Sequence, residues 1–161
     1  MDIFQIDSEF KKNVGDFILT FSEIEFSLGV IFSKLEVGID INPLKPKYFG
    51  ASFEEKRKNI RKLLIDNKPL YMKWEKIDSK ISICNDFRRS IAHGIVMNHI
   101  VNPSIQTLVK HKEGFIYKEI TNDDLEKYLK ILYDINSGKK GIGVFIEELN
   151  EWLKQRKSFI K

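Results

Sequence analysis

Residues 70–94 read LYMKWEKIDSKISICNDFRRSIAHG, and the spacing within this stretch decides the fold. Leu70, Trp74, Ile77, Ile81, Cys84, Arg88 and Ile91 follow one another at alternating steps of four and three. That is the repeat of one helical face, so the stretch predicts a long helix with one side in a core. Gly94, directly after His93, suits the end of such a helix. Every position in the row is apolar except Arg88. A guanidinium carries a fork of N–H donors and keeps its charge, so on a core-facing seam it needs acceptors or a wet cleft.

The same period is found upstream. Phe10, Val14, Phe17, Phe21, Ile24, Leu28, Ile31 and Leu35 predict a first helix from Asp7 or Ser8 to Leu35, with Ile18 and Phe32 in a second row. Glu25 lies in that second row. It reads either as a carboxylate at the wet edge of the stripe or as the partner of a buried arginine. Gly38 ends this region, and residues 42–46 (Asn-Pro-Leu-Lys-Pro) form a loop. A second helix starts at Ser52, because Ser52-Phe53-Glu54-Glu55 has the spacing of a capping box. Phe53, Ile60, Leu63 and Leu64 are its inner face, and Asp66-Asn67-Lys68-Pro69 stops it. The stretch 70–94 is then the third helix.

Downstream of Gly94 the period changes. Residues 95–101 and 114–120 are rich in strand formers, with Gln106-Thr107-Leu108-Val109 as a further extended piece. Asn102-Pro103-Ser104 and Lys112-Glu113-Gly114 read as turns. Thr121-Asn122-Asp123-Asp124 opens a fourth helix, with carboxylates in its first turn. Its face is Leu125, Tyr128, Leu129, Leu132 and Ile135. Ser137-Gly138-Lys139-Lys140-Gly141 breaks the chain before a last helix with Phe145, Leu149, Trp152 and Leu153 inward. The expected fold is mainly α: an antiparallel bundle of about four or five helices with a small β-hairpin insertion after the third, in a single domain spanning 1–161.

Composition narrows the function classes. The chain has 161 residues, 42% of them hydrophobic, and a formal net charge of +4. The modest basic excess permits a polyanionic partner. Basic residues cluster at Lys56-Arg57-Lys58 with Arg61-Lys62, at Arg88-Arg89, at Lys139-Lys140, and at Lys154 with Arg156-Lys157. Taken singly, each cluster reads as a solvated helix face. Met1–Asp7 lacks a secretory pattern, and the apolar stretch 17–35 is interrupted by Glu23, Glu25 and Lys34. A cytoplasmic protein without membrane contact is the expectation. The single cysteine, Cys84, reads as a small buried hydrophobe. The three histidines, His93, His99 and His111, have no zinc spacing, and no CxxC or HExxH accompanies them, so no metal or cofactor is expected. The stretch 138–143 lacks the Lys-Ser/Thr ending of a phosphate-binding loop.

Arg88 and His93 remain, and their chemistry suits RNA cleavage. Histidine titrates near neutrality and can take a proton from a ribose 2′-hydroxyl or give one to the leaving 5′-oxygen. A fixed guanidinium stabilises the charge that gathers on phosphorus. Five residues of helix rotate the chain by about 140°, so Arg88 and His93 do not share one narrow face, whereas Arg89 and His93 do. One chain supplies a loose half-site, and two helix ends facing each other would complete it. That is a reason to expect a homodimer.

The segment Phe87-Arg88-Arg89-Ser90-Ile91-Ala92-His93-Gly94 resembles the signature of the HEPN superfamily: an Arg, a polar residue, and an apolar-Ala-His-Gly ending. A long first helix with Ser22-Glu23-Ile24-Glu25 and a second with Phe53-Glu54-Glu55-Lys56 look similar as well. The resemblance implies a dimeric helical bundle and a metal-independent endoribonuclease of defence or toxin–antitoxin systems, with RNA as substrate and a possible antitoxin partner. It implies products with 2′,3′-cyclic phosphate and 5′-hydroxyl ends. By motif position Arg88 and His93 are the catalytic pair. Arg89, Ser90, Glu25 and Lys56 take supporting or RNA-binding places. Arg89 stands where Asn, Asp or His is more usual. The departure leaves open a non-catalytic module that binds RNA, nucleotide or a partner protein. A purely structural role also stays open, with Arg88 paired to Glu25 and His93 near the last helical carbonyls.

Overall fold

A computed structural model describes residues 8–39, 45–97, 103–111 and 114–158. The N-terminal heptapeptide, the Asn42-Pro43-Leu44 part of the expected loop, His99, and Lys112-Glu113 lie outside the described residues. The chain is mainly α, and its β excursion follows the third long helix. The helices are α1 (Ser8–Val37), α2 (Pro46–Phe49), α3 (Phe53–Leu64), α4 (Lys68–Ala92), α5 (Asn122–Ser137) and α6 (Ile142–Ser158). Strands β1 (Ile95–Met97), β2 (Ser104–His111) and β3 (Gly114–Ile120) lie between α4 and α5. They form one antiparallel sheet in the order β1-β2-β3. Ile95 pairs with Gln106, and Leu108 with Tyr117.

The chain divides into two compact units. The first contains Met1–Phe21 and Ser82–Tyr133, the second Ser22–Ile81 and Asp134–Lys161. Helices α1, α4 and α5 each contribute residues to both. In the first unit, Phe10, Phe17 and Phe21 of α1 are buried, as are Cys84, Phe87 and Ile91 of α4. Ile105 and Ile120 of the sheet and Leu125, Leu129 and Leu132 of α5 complete that core. Phe87 stacks on Tyr128, with centroids 3.8 Å apart, and meets Phe17 edge-on at 5.1 Å. In the second unit, Ile24, Leu28, Ile31, Ile60, Leu64, Trp74, Ile81, Phe145 and Leu149 are buried.

Local chemistry explains the element ends. Gly38 adopts a left-handed φ of 99° beyond α1, and its N–H donates to the Lys34 carbonyl. Both bonds of the Ser52 capping box form, from Glu55 N–H to Ser52 Oγ and from Ser52 N–H to the Glu55 carboxylate. Asn67 Oδ1 accepts from Leu70 N–H, so the tetrapeptide expected only to stop one helix also starts the next. Thr121 and Asp124 bond reciprocally at the head of α5. Helix α2 begins at the last residue of the expected loop and was not foreseen. Pro46 sits in its first turn, where a missing N–H costs nothing.

The largest departure from expectation is the Lys56-Arg57 cluster. Instead of a solvated face, Lys56 and Arg57 are 3% and 9% exposed. The Arg57 guanidinium reaches both carboxylate oxygens of Asp78, which is 1% exposed, with Nη2–Oδ2 at 3.0 Å. It also bonds Glu54 at 3.1 Å. Arg61 Nη2 reaches the same Asp78 at 2.6 Å and its Nε bonds Glu75. Burial opposes the Arg57 charge, but the hydrogen bond and charge of Asp78, with Glu54, outweigh it and hold its pKa above the usual value.

Candidate functional site

Arg88–Ala92 form the last turn and a half of α4, in the first unit, and His93 and Gly94 follow directly. Arg88 is half-buried. Its Nε donates to Asn85 Oδ1 at 3.3 Å, and its guanidinium lies 5.3 Å from the centroid of the Phe21 ring. Asn85, itself buried, stands three residues before it on the helix. Among the described residues, the arginine is therefore positioned by a neutral acceptor and a ring face, with no carboxylate within ion-pair distance.

Arg89 and His93 are exposed, and Ser90 is half-buried, its Oγ donating to the Asp86 carbonyl at 3.1 Å. The helix closes around His93. Its N–H donates to the Arg89 carbonyl and that of Gly94 to the Ile91 carbonyl. Gly94 does not use the left-handed conformation common at helix ends, because the only described glycines with positive φ are Gly38 and Gly114. Its reason is close approach: a Cβ there would strike Ile105 Cγ2 of β2 and the Ser90 carbonyl oxygen.

Glu25 and Lys56 belong to the second unit, where they face each other at 3.6 Å. Glu25 thus has Lys56, and Arg88 has Asn85, as the partner its side chain reaches. Glu25 is partly exposed, which matches the wet-edge reading. Asp78 and Asn85 are the polar residues sequence reasoning missed. They lie seven residues apart in α4, flanking Ile81, and that heptad spacing of two short polar side chains beside an apolar row was the available signal.

Cys84 is fully buried, and burial pushes its thiol up to about 12. The thiolate is the reactive form, so native protein at pH 8 is expected to resist iodoacetamide while denatured protein is labelled to completion. Rapid labelling of the native protein, read by mass spectrometry, would contradict this burial.

No group of three or more His, Cys, Asp or Glu side chains converges among the described residues, and none of their helices is long and apolar enough to cross a membrane. In comparisons with known proteins, no family model, curated protein or solved structure matches the chain.

Proposed function

We propose that this protein is a metal-independent endoribonuclease that cleaves RNA by 2′-hydroxyl transesterification at the end of α4. The observation that carries the reading is an exposed His93 one turn beyond a guanidinium, Arg88, held by Asn85 and Phe21 and, among the described residues, without a carboxylate partner. The motif that contains both resembles that of HEPN ribonucleases, whose place in toxin–antitoxin and antiviral defence suggests the biological setting and an antitoxin partner. Glu25 and Lys56 satisfy one another, so the reading rests on Arg88, Arg89, Ser90 and His93.

In the reaction, the 2′-oxygen bonds to phosphorus as an imidazole removes its proton. The P–O5′ bond breaks, and the departing oxygen is protonated by an imidazolium. Arg88 faces the charge that gathers on the phosphoryl oxygens, and exposed Arg89 contacts the backbone phosphates. Base and acid come from two copies of His93 in a homodimer. An apolar sheet face supports self-association: Ile95, Leu108, Phe115 and Tyr117 are all more than half exposed, and the register places them on one side of the sheet.

Purified protein is expected to cut single-stranded RNA in excess EDTA, leaving 2′,3′-cyclic phosphate and 5′-hydroxyl ends. RNA bound in a salt-sensitive manner but left uncut would replace the enzyme with a non-catalytic binding module. Light scattering is expected to report a dimer at micromolar concentration, and a strictly monomeric mass would overturn the two-copy site.

A further inference from the structure

The second unit contains a cleft of about 750 Å³ walled by α4, the end of α5, the 138–141 turn and the start of α6. Buried Ile77, Ile135 and Phe145 make its floor. Five lysines and two carboxylates line it. Two of the lysines are spoken for, Lys73 by Glu148 and Lys80 by Asp134, each at 2.5 Å. Among the described residues, Lys76, Lys139 and Lys140 have no carboxylate within ion-pair distance.

The turn that carries Lys139 and Lys140 is tightly built. The Gly138 N–H donates to the Asp134 carbonyl, and that of Gly141 to the Gly138 carbonyl. A Cβ at Gly141 would strike the Ile135 carbonyl oxygen. The two ammonium groups are therefore carried on a constrained loop beside Lys76. Three ammonium groups without a carboxylate partner, lining one apolar-floored cavity, suit an anionic ligand. A lysine serves phosphate as a compact point charge.

We infer that this cleft binds a small polyphosphorylated molecule, its phosphates on Lys76, Lys139 and Lys140 and its apolar or heteroaromatic body on the Ile77–Ile135–Phe145 floor. The volume lies in the range of small-molecule and cofactor sites. A cavity of this size encloses a compact ligand, whereas an RNA strand would need a basic track extending beyond it. The site is independent of the ribonuclease reading, since none of its residues belongs to the α4 motif.

The test is calorimetric titration of the full chain with ATP and, separately, with inorganic tripolyphosphate. Saturable binding of ATP is expected. The double variant Lys139→Glu, Lys140→Glu is expected to weaken it at least about tenfold, and His93→Ala to leave it unchanged. These lysines are exposed, so the variant should fold, and its circular dichroism checks that. Absence of saturable ATP binding to the wild type would overturn the proposal, as would equal affinity in the double variant. Tripolyphosphate binding as tightly as ATP would remove the role of the apolar floor. If the double variant loses affinity for an RNA oligonucleotide while the wild type does not bind ATP, the cleft is part of an RNA track instead.

Discussion

Replacing His93 with alanine is expected to lower RNA cleavage by about 10²–10⁴-fold, the usual contribution of a positioned general acid or base. Because His93 is exposed at the end of α4, its removal leaves the core untouched, and thermal unfolding should shift by no more than a surface substitution allows. The two readouts together separate chemistry from folding. Arg88→Lys adds a third comparison, because a lysine keeps the charge but loses the planar fork that lies on the Phe21 face and that the proposed mechanism turns to the phosphoryl oxygens. If cleavage persists in His93→Ala at wild-type rates, the end of α4 is not the active site and the proposed mechanism falls.

The second large effect is on stability. Asp78→Ala is expected to cost about 3–5 kcal/mol, since it strands the buried Arg57 guanidinium without its principal acceptor. In a chain of this size that corresponds to a drop of roughly 10 °C in Tm. Arg61 loses the same carboxylate, but it is half exposed and retains Glu75 and water, so most of the penalty falls on Arg57. Joint replacement, Arg57→Met with Asp78→Leu, should recover much of the loss, because a buried ion pair contributes less net stability than breaking it removes. Chemical denaturation of the two variants beside wild type measures both effects. A change under about 0.5 kcal/mol in Asp78→Ala would mean that the carboxylate is not buried as described.

Much of this architecture was legible because it rests on periodicity and on short-range capping. The 70–91 row came through intact, with all six of its apolar members buried and Arg88 alone half-exposed. Ser52 and Thr121 each announced a helix start by chemistry that needs only three residues of context. What escaped were interactions between segments distant in sequence. Arg57 and Asp78 are 21 residues apart, and a run of Lys and Arg in a sequence looks the same whether it meets water or a buried carboxylate. The motif at Arg88–His93 was visible as text. Its anchoring on Phe21 was not, because Phe21 comes from another helix, whereas Asn85, three residues before Arg88, was within reach of the pattern.

Gly94 has a consequence for how this protein can change over time. A side chain there is refused from two directions at once, by the helix through the Ser90 carbonyl and by the sheet through Ile105. Shaving Ile105 alone removes only one of the two obstacles, so no single compensating substitution opens the position. Mutational drift is therefore closed at the residue that joins His93 to β1. On β3, Gly114 carries a restriction of another kind, its positive φ, while the remaining exposed positions are constrained only as far as Phe115 and Tyr117 serve the proposed self-association face.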